Sequence, residues 1–548
     1  MNLLLAALFY YLSFFLGRSF VLITRLNKYE KVRNFKIFEN NIATFYPILG
    51  MFFLGNFLFL ANFFVSVTSN LVLAFLILGS TFNFLDKKLK KELVLSLKYL
   101  FVHLIISVSI YSANFQYDAG YYHLNYQNWI RAEKIVIGLS NIFSPLGLSS
   151  ISDFLAAAFW LDNNFILLHL TSTIFISTLM IFLFSNLLNQ DNIFLFSSSL
   201  FLIIFSFLDN FGANGGLNGF IQISGVVKPD QAFAVLFFFF CFLFLFSLKR
   251  NKINESEIFF LSVILFFSYQ FRIISIYLAI PFICYIYLSK TKFSKFLKIR
   301  LSLLLILNIF WSIKWFLTTS CFIFPLEFTC FSTPWGSGQN ALTLTGQTRS
   351  FNNSYVFGNN IYEWWISWLD FNNNQGTVIN YFVSLLLIFI IKKILYKKIE
   401  DKKIFNFGIN LFYTYVVFFY FLIWIFGSPN FRFLYGVIMF SVCVFNINIE
   451  SYELRPLFQY KIFNQSLIML FFVSALFIPR LGSYASFTSS PFTFSKLKTV
   501  EIVYEIDDSG WNYPLEGDQC WINIECVPSK ISINRKINSH GYLIFYRD

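Results

Sequence analysis

At 548 residues, with 57% apolar and 13% charged side chains, the chain lies far below the charge content of a soluble protein, about 25%. That excludes an ordinary soluble fold and gives the composition of an integral membrane protein. The net charge of +13 is divided among short clusters between apolar runs, which speaks against nucleic acid as a partner and for helix ends facing anionic lipid. Apolar runs near the ~20 residues that a bilayer crossing needs fall at 2–23, 42–62, 66–85, 95–111, 163–185, 193–208, 230–248, 256–270, 272–289, 301–320, 378–391, 408–426, 434–449 and 464–481. They predict an all-α, polytopic bundle of about 14 spans. The 79 phenylalanines, with abundant Asn, Ile and Lys, reflect an AT-rich genome as much as function, so aromatic clusters carry little weight alone. No basic segment or small-residue cleavage site marks a signal peptide, and the first run is read as a retained helix.

Lys and Arg accumulate in cytoplasmic loops. The clusters at 24–40, 87–98, 249–252, 290–300 and 392–403 all fall on one side of the predicted stack. The opposite, extracytoplasmic face then carries the N-terminus, the loops 112–162, 209–229 and 321–377, and a tail from 482 onward. Alternating segments within that tail, KTVEIVYEI and GYLIFYRD, read as strands. Cys241, Cys284 and Cys443 fall inside spans, whereas Cys321, Cys330, Cys520 and Cys526 fall outside in two close pairs. Cys321 with Cys330 and Cys520 with Cys526 is the natural pairing in an oxidising compartment, and four free thiols is the alternative.

The first extracytoplasmic loop holds Tyr117-Asp118-Ala119-Gly120-Tyr121-Tyr122-His123. Tyr122, Tyr126 and Trp129 recur at helical spacing, which predicts a short helix lying flat among headgroups, rings toward lipid and polar groups toward water. In the third large loop, YEWWISWLD predicts a second surface helix of that kind. Charges at or inside the membrane edge are costly and normally face a partner or a cavity. Asp230 follows Lys228-Pro229 at the start of one span, where the plain alternative is a helix N-terminus with proline near its first turn. Arg272 lies between two short spans, Lys314 sits within a span between Trp311 and Trp315, and Arg432 lies in a short loop, GSPNFRFLYG. Each cation alone could snorkel to the headgroups. Gathered beside Asp118, they would suit a phosphate.

The order of YDAGYYHLNYQNWI with IGLSN, VVKPD, SIKWFLTTSCFIFPLEFTCF, SPNFRFLYG and GDQCWINIECVPS resembles a group of large bacterial membrane proteins with features of the GT-C superfamily of membrane glycosyltransferases. The resemblance covers roughly residues 95–548. It implies an extra three-helix unit at 1–92, a GT-C-like core at 93–481 and an extracytoplasmic tail at 482–548, in a bacterial inner (cytoplasmic) membrane. It also implies inverting transfer of a sugar from a polyprenyl-phosphate lipid donor to a glycan or lipid acceptor. Asp118 would be the general base, with His123 orienting substrate or sharing the proton once a break at Gly120 lets the two converge. Arg432, Arg272, Lys314, Lys228, Asp230, Tyr117 and Tyr122 would bind substrate and phosphate. A second acid beside the first is frequent in that superfamily, but Ala119 stands there. No cofactor is therefore expected, and a divalent metal is left open. Two alternatives share the membrane architecture: a transporter or flippase of a lipid-linked glycan, and an enzyme resembling an O-antigen polymerase or ligase.

Overall fold

The computed structural model describes residues 2–26, 42–85, 89–108, 110, 115, 117–160, 165–188, 192–210, 229–250, 253–289, 293–336, 338–349, 360–371, 374–398, 407–427, 429–444, 452–454, 499–507, 510–528 and 533–547. Lys228, the run at 464–481 and nearly all of the loop 209–229 lie outside the described residues. The helices are α1 (Asn2–Ile23), α2 (Tyr46–Ala61), α3 (Ser69–Thr81), α4 (Leu89–Val108), α5 (Leu124–Ala132), α6 (Ile151–Ala158), α7 (Ile166–Leu188), α8 (Ile193–Asn210) and α9 (Asp230–Arg250). They continue with α10 (Glu255–Phe271), α11 (Ala279–Leu288), α12 (Lys295–Thr319), α13 (Gln339–Arg349), α14 (Ile361–Asp370), α15 (Asn374–Leu395), α16 (Phe407–Gly427) and α17 (Tyr435–Val444).

Among the described residues, seven helices are long and apolar enough to cross a membrane: Leu3–Ile23, Ile42–Ala61, Leu167–Leu187, Asp230–Arg250, Lys295–Thr319, Asn374–Leu395 and Gly408–Gly427. Other apolar runs give shorter helices, at Ser69–Phe84, Ile193–Ser206, Ile273–Leu288 and Tyr435–Val444. The run at 272–289 shows why length in sequence overstates length in space. Arg272 is extended, a 3-10 segment Ile273–Leu278 follows, and only ten residues then wind as α11, with Pro281 in the first turn. Conversely, α4 starts at Leu89, before the predicted run, and so contains Lys90 and Glu92. Glu92 earns its place in the helix by pairing with Arg18 of α1, whose side chain is 1% exposed and also meets Asn83.

Helices α1 and α2 cross with their backbones in contact. A Cβ on Gly17 would stand 1.7 Å from the Tyr46 carbonyl oxygen, and one on Gly50 1.9 Å from that of Ser13. Small residues permit this approach where water supplies no driving force between helices. Helix α9, with its run of phenylalanines, is buried along nearly its whole length against α7, α10, α16 and α17, as an all-round apolar helix should be. A reciprocal amide pair, Asn56 with Gln270 at 3.1 and 2.8 Å, joins α2 to α10 inside this apolar mass, each side chain satisfying the other.

Among the described residues, strands are few and short. β1 (Tyr396–Lys398) pairs antiparallel with β2 (Tyr452–Leu454). In the tail, β3 (Tyr504–Ile506) pairs with β4 (Asn512–Pro514), and β5 (Asn534–Ile537) with β6 (Leu543–Tyr546). Disulfides join Cys321 to Cys330 and Cys520 to Cys526, while Cys241, Cys284 and Cys443 are free thiols.

The first loop, the third loop and the tail gather at one end of the bundle. Asn141 donates to Trp335 O at 2.8 Å and to Phe545 O at 3.1 Å, so a single side chain touches all three segments. Backbone bonds from Ile137 to Leu543 and from Phe545 to Ile137, both 2.9 Å, extend the β5–β6 hairpin onto the loop. Three segments that bond one another lie on the same side, and that end carries the site.

Candidate functional site

Asp118 precedes a wide helical turn, Ala119–His123, in which the Leu124 amide reaches back five residues to Ala119 O. Turns of this π type widen the helix and are frequent at functional positions. The tail fixes the turn from outside. Trp521 donates its backbone N–H to Gly120 O at 2.8 Å, and its indole lies so close that a Cβ on Gly120 would stand 2.6 Å from it. Glycine at 120 is thus required by the approach of the tail rather than by a chain break. Tyr117 donates its hydroxyl to Asp518, and Gln519 donates to Tyr117 O at 2.8 Å.

The Asp118 carboxylate makes no capping bond to a backbone amide of this turn. It meets Arg432, 314 residues away, at 3.3 Å. The Arg432 Nε faces Asp230 at 3.6 Å, and Arg272 donates to the other Asp230 oxygen at 2.6 Å. Four residues singled out in the sequence therefore form one chain of alternating charge, Asp118, Arg432, Asp230, Arg272. Phe433 supplies a face to both guanidinium groups, 5.1 Å from Arg432 and 4.8 Å from Arg272. Burial acts to lower the Arg432 pKa, but the charges of Asp230 and Asp118 outweigh it and hold the guanidinium above its ordinary value. The Tyr122 phenol is pushed well up, first by burial and then by the charge of Asp118, with Arg272 and Arg432 opposing.

Each member is held by local structure. Asp230 is the first residue of α9, behind Pro229, so the helix start predicted as the alternative is real and also carries the ion pair. Arg272 is the extended residue at which α10 ends, its amide still bonded to Ser268 O at 2.9 Å. The turn bearing Arg432 is fixed by indole donors, Trp368 to Pro429 O at 2.6 Å and Trp424 to Asn430 O at 2.9 Å. Trp364 and Trp368 of α14 are buried in the bundle, which corrects the expectation of a helix with its tryptophans in the headgroup layer.

Helix α5 is corrected in the same way. Tyr126 and Trp129 pack into the core, and the polar side is covered by the tail, with Asn128 donating to Ile522 O at 2.7 Å and Asn125 to Asn523 O. His123 bonds Asp153, Nδ1 to Oδ1 at 3.0 Å, both side chains buried, rather than converging with Asp118. Asp153 is a residue the sequence reading missed. Its signal was available, because Ser150 and Asp153 form the capping box that starts α6, and the carboxylate left over after capping takes His123 and Gln127. Lys314 is likewise not among the phosphate candidates that meet. It is fully buried, donates to Ser149 Oγ at 2.5 Å and lies 3.6 Å from the Trp311 ring centre. Neither snorkelling nor the Arg432 cluster describes it. Asp518, Gln519 and Trp521 lie in GDQCWINIECVPS, one of the segments that carry the resemblance, but no feature of the sequence assigned them a place at this turn.

Residues 1–439 match the family model described as a domain of unknown function (DUF8201). The chain belongs to the DUF8201 family. No curated protein and no solved structure matches it. The DUF8201 segment contains Asp118, Asp230, Arg272 and Arg432 and ends within α17, so the whole ion-pair chain lies inside it, whereas the tail residues that cover the π turn lie beyond it. It also includes α1 to α3, whose packing onto α4, α6 and α7 makes them continuous with the rest of the bundle.

Proposed function

We propose that this chain is a membrane glycosyltransferase of GT-C type, at the extracytoplasmic face of a bacterial inner membrane. It would move a sugar from a polyprenyl-phosphate donor to a glycan or lipid acceptor. The observation that carries the reading is the 3.3 Å contact between Asp118 and Arg432 in a chain of charges completed by Asp230 and Arg272. Asp118 and Arg432 keep 25% and 30% side-chain exposure, so both can reach a substrate, whereas Asp230, at 4%, serves to hold the two guanidinium groups together.

The chemistry asks for two things, a base and a place for negative charge. Asp118 takes the proton of the acceptor hydroxyl as its oxygen attacks the sugar's anomeric carbon. The bond from that carbon to the phosphate oxygen breaks, and the leaving polyprenyl phosphate keeps the electron pair. Arg432 and Arg272 are suited to receive it, because a planar guanidinium has five N–H donors and pairs with phosphate through two parallel bonds. The two acids and two bases of the cluster are mutually neutralised at rest. An incoming phosphate therefore exchanges a carboxylate contact for its own and frees Asp118 for the proton.

The test is transfer from a polyprenyl-phosphate sugar in reconstituted vesicles. Asp118→Asn keeps shape and hydrogen-bonding reach but removes the basic oxygen, so transfer should fall by about 10²-fold to 10⁴-fold with normal folding. Near-normal transfer by the well-folded variant would remove Asp118 from the mechanism.

A further inference from the structure

Helix α12 ends in a loop closed by the disulfide Cys321–Cys330, CFIFPLEFTC, followed by Phe331. Much of the loop's backbone is paired within the loop. Phe322 N–H bonds Thr329 O at 3.1 Å, and the Thr329 hydroxyl serves Ile323 O at 3.0 Å and Leu326 O at 2.7 Å. Backbone groups paired internally are what a segment needs in order to enter a medium poor in water. Most of its outward side chains are apolar: Phe328 is 84% exposed, with Phe331 at 53%, Phe322 at 41% and Leu326 at 37%. Glu327 is an exposed acid among them, as suits a depth where headgroups meet acyl chains.

The height of this loop follows from α12. The exposed bases Lys295 and Lys298 stand at one end of the helix, and the exposed apolar side chains begin at Ile299 and continue through Leu303, Ile306 and Ile309. A hydrocarbon layer of about 30 Å takes about 20 residues at ~1.5 Å each. Counted from Ile299, it ends near Thr319, immediately before Cys321. The apolar face also continues from helix to loop without a gap, since Phe316 of α12 stacks on Phe322 at 4.8 Å and Phe322 meets Phe331 at 5.6 Å. We propose that the Cys321–Cys330 loop is a membrane-interface anchor whose Phe328, flanked by Phe322 and Phe331, sits among the headgroups and upper acyl chains of the leaflet on the site side. The occupant of this surface is bilayer lipid. Aromatic side chains concentrate at that depth, and the anchor holds α12, and through Asn141 and Trp335 the first loop, at a fixed height relative to the lipid.

The inference rests on α12 crossing the bilayer and not on the chemistry at Asp118. The experiment uses the full chain with p-benzoylphenylalanine at position 328, purified and reconstituted into vesicles of phosphatidylcholine and phosphatidylglycerol, irradiated and digested for mass spectrometry. Position 331 is a second probe, position 303 the reference for lipid contact within the span, and position 516, exposed in the tail, the reference for water. Phospholipid adducts should form at 328, 331 and 303 and be absent at 516. Adducts at 303 alone would overturn the anchor, and their loss at 303 as well would overturn both the anchor and the span beneath it. Protein adducts at 328 in native membranes, in place of lipid, would hand the surface to a partner chain and overturn the proposal.

Discussion

Replacing Asp230 by Asn tests whether the charge chain is a coupled unit. Asp230 is the shared acid, 2.6 Å from Arg272 and 3.6 Å from Arg432, with its own side chain 4% exposed. Unit charges about 4 Å apart attract by roughly 4 kcal/mol at an effective dielectric constant of about 20, before desolvation is counted. Removing one partner of a fully buried pair costs about 3–5 kcal/mol, because the other charge is stranded. The two guanidinium groups keep 26% and 30% exposure, so water recovers part of this, and Asn still offers Arg272 one carbonyl oxygen. The expected cost is about 2–3 kcal/mol, below the fully buried range. Unfolding titrations in mixed micelles of the wild type, Asp230→Asn, Arg272→Gln and the double variant give the cycle. The double variant should lose less than the sum of the singles by about 1 kcal/mol or more; agreement with the sum to within about 0.5 kcal/mol would show the residues to be energetically independent and refute the reasoning.

Gly120→Ala places a Cβ 2.6 Å from the Trp521 indole, so the tail should loosen from the π turn, at a cost of about 1–3 kcal/mol, and become sensitive to limited proteolysis between 499 and 547; unchanged protease resistance would count against the clamp. Gly50→Leu should abolish accumulation of folded protein, because the α1–α2 crossing has no room for a side chain, whereas Gly427→Leu, with open space around it, should fold normally. Mass spectrometry of non-reduced peptides should link Cys321 to Cys330 and Cys520 to Cys526; recovery of those four as thiols would remove the covalent closure of both loops. For topology, cysteines introduced at Thr348 and Glu516 should react with an impermeant maleimide from outside the cell and one at Lys90 only from inside, the reverse pattern inverting the proposed orientation.

Much of this architecture could be read in advance because it follows from apolar length. Helices occupy every predicted run within the described residues, and the departures have local causes: Arg272 and Pro281 cut one run short, and the pairing of Glu92 with Arg18 draws charge into a helix. Seven helices meet the length and apolarity of a crossing among the described residues, against about 14 runs, since several runs wind into helices too short for a crossing and the run at 464–481 lies outside the described residues. The charged members of the site were legible for the same reason. An acid or base in an apolar setting needs a partner, and Asp118, Asp230, Arg272 and Arg432 supply one another. Lys314 obeys that rule too but finds Ser149 and tryptophan faces, which a one-dimensional reading cannot distinguish from a phosphate. The tail's part in the site was invisible. Contacts such as Trp521 on Gly120 join positions some 400 residues apart through backbone atoms and shape, with no periodicity or charge pattern to announce them.

Whether the Arg432 and Arg272 pair holds a phosphate-bearing lipid is the question on which the functional account depends. Native mass spectrometry of the full chain released from membranes enriched in polyprenyl phosphate measures it directly. The wild type should retain the lipid. Arg432→Lys should lose most of it although the charge is kept, because an ammonium cannot offer the planar pair of donors. Equal retention by the wild type, Arg432→Lys and the Arg432→Gln/Arg272→Gln double variant would contradict the account, leaving the ion-pair chain as a structural feature only.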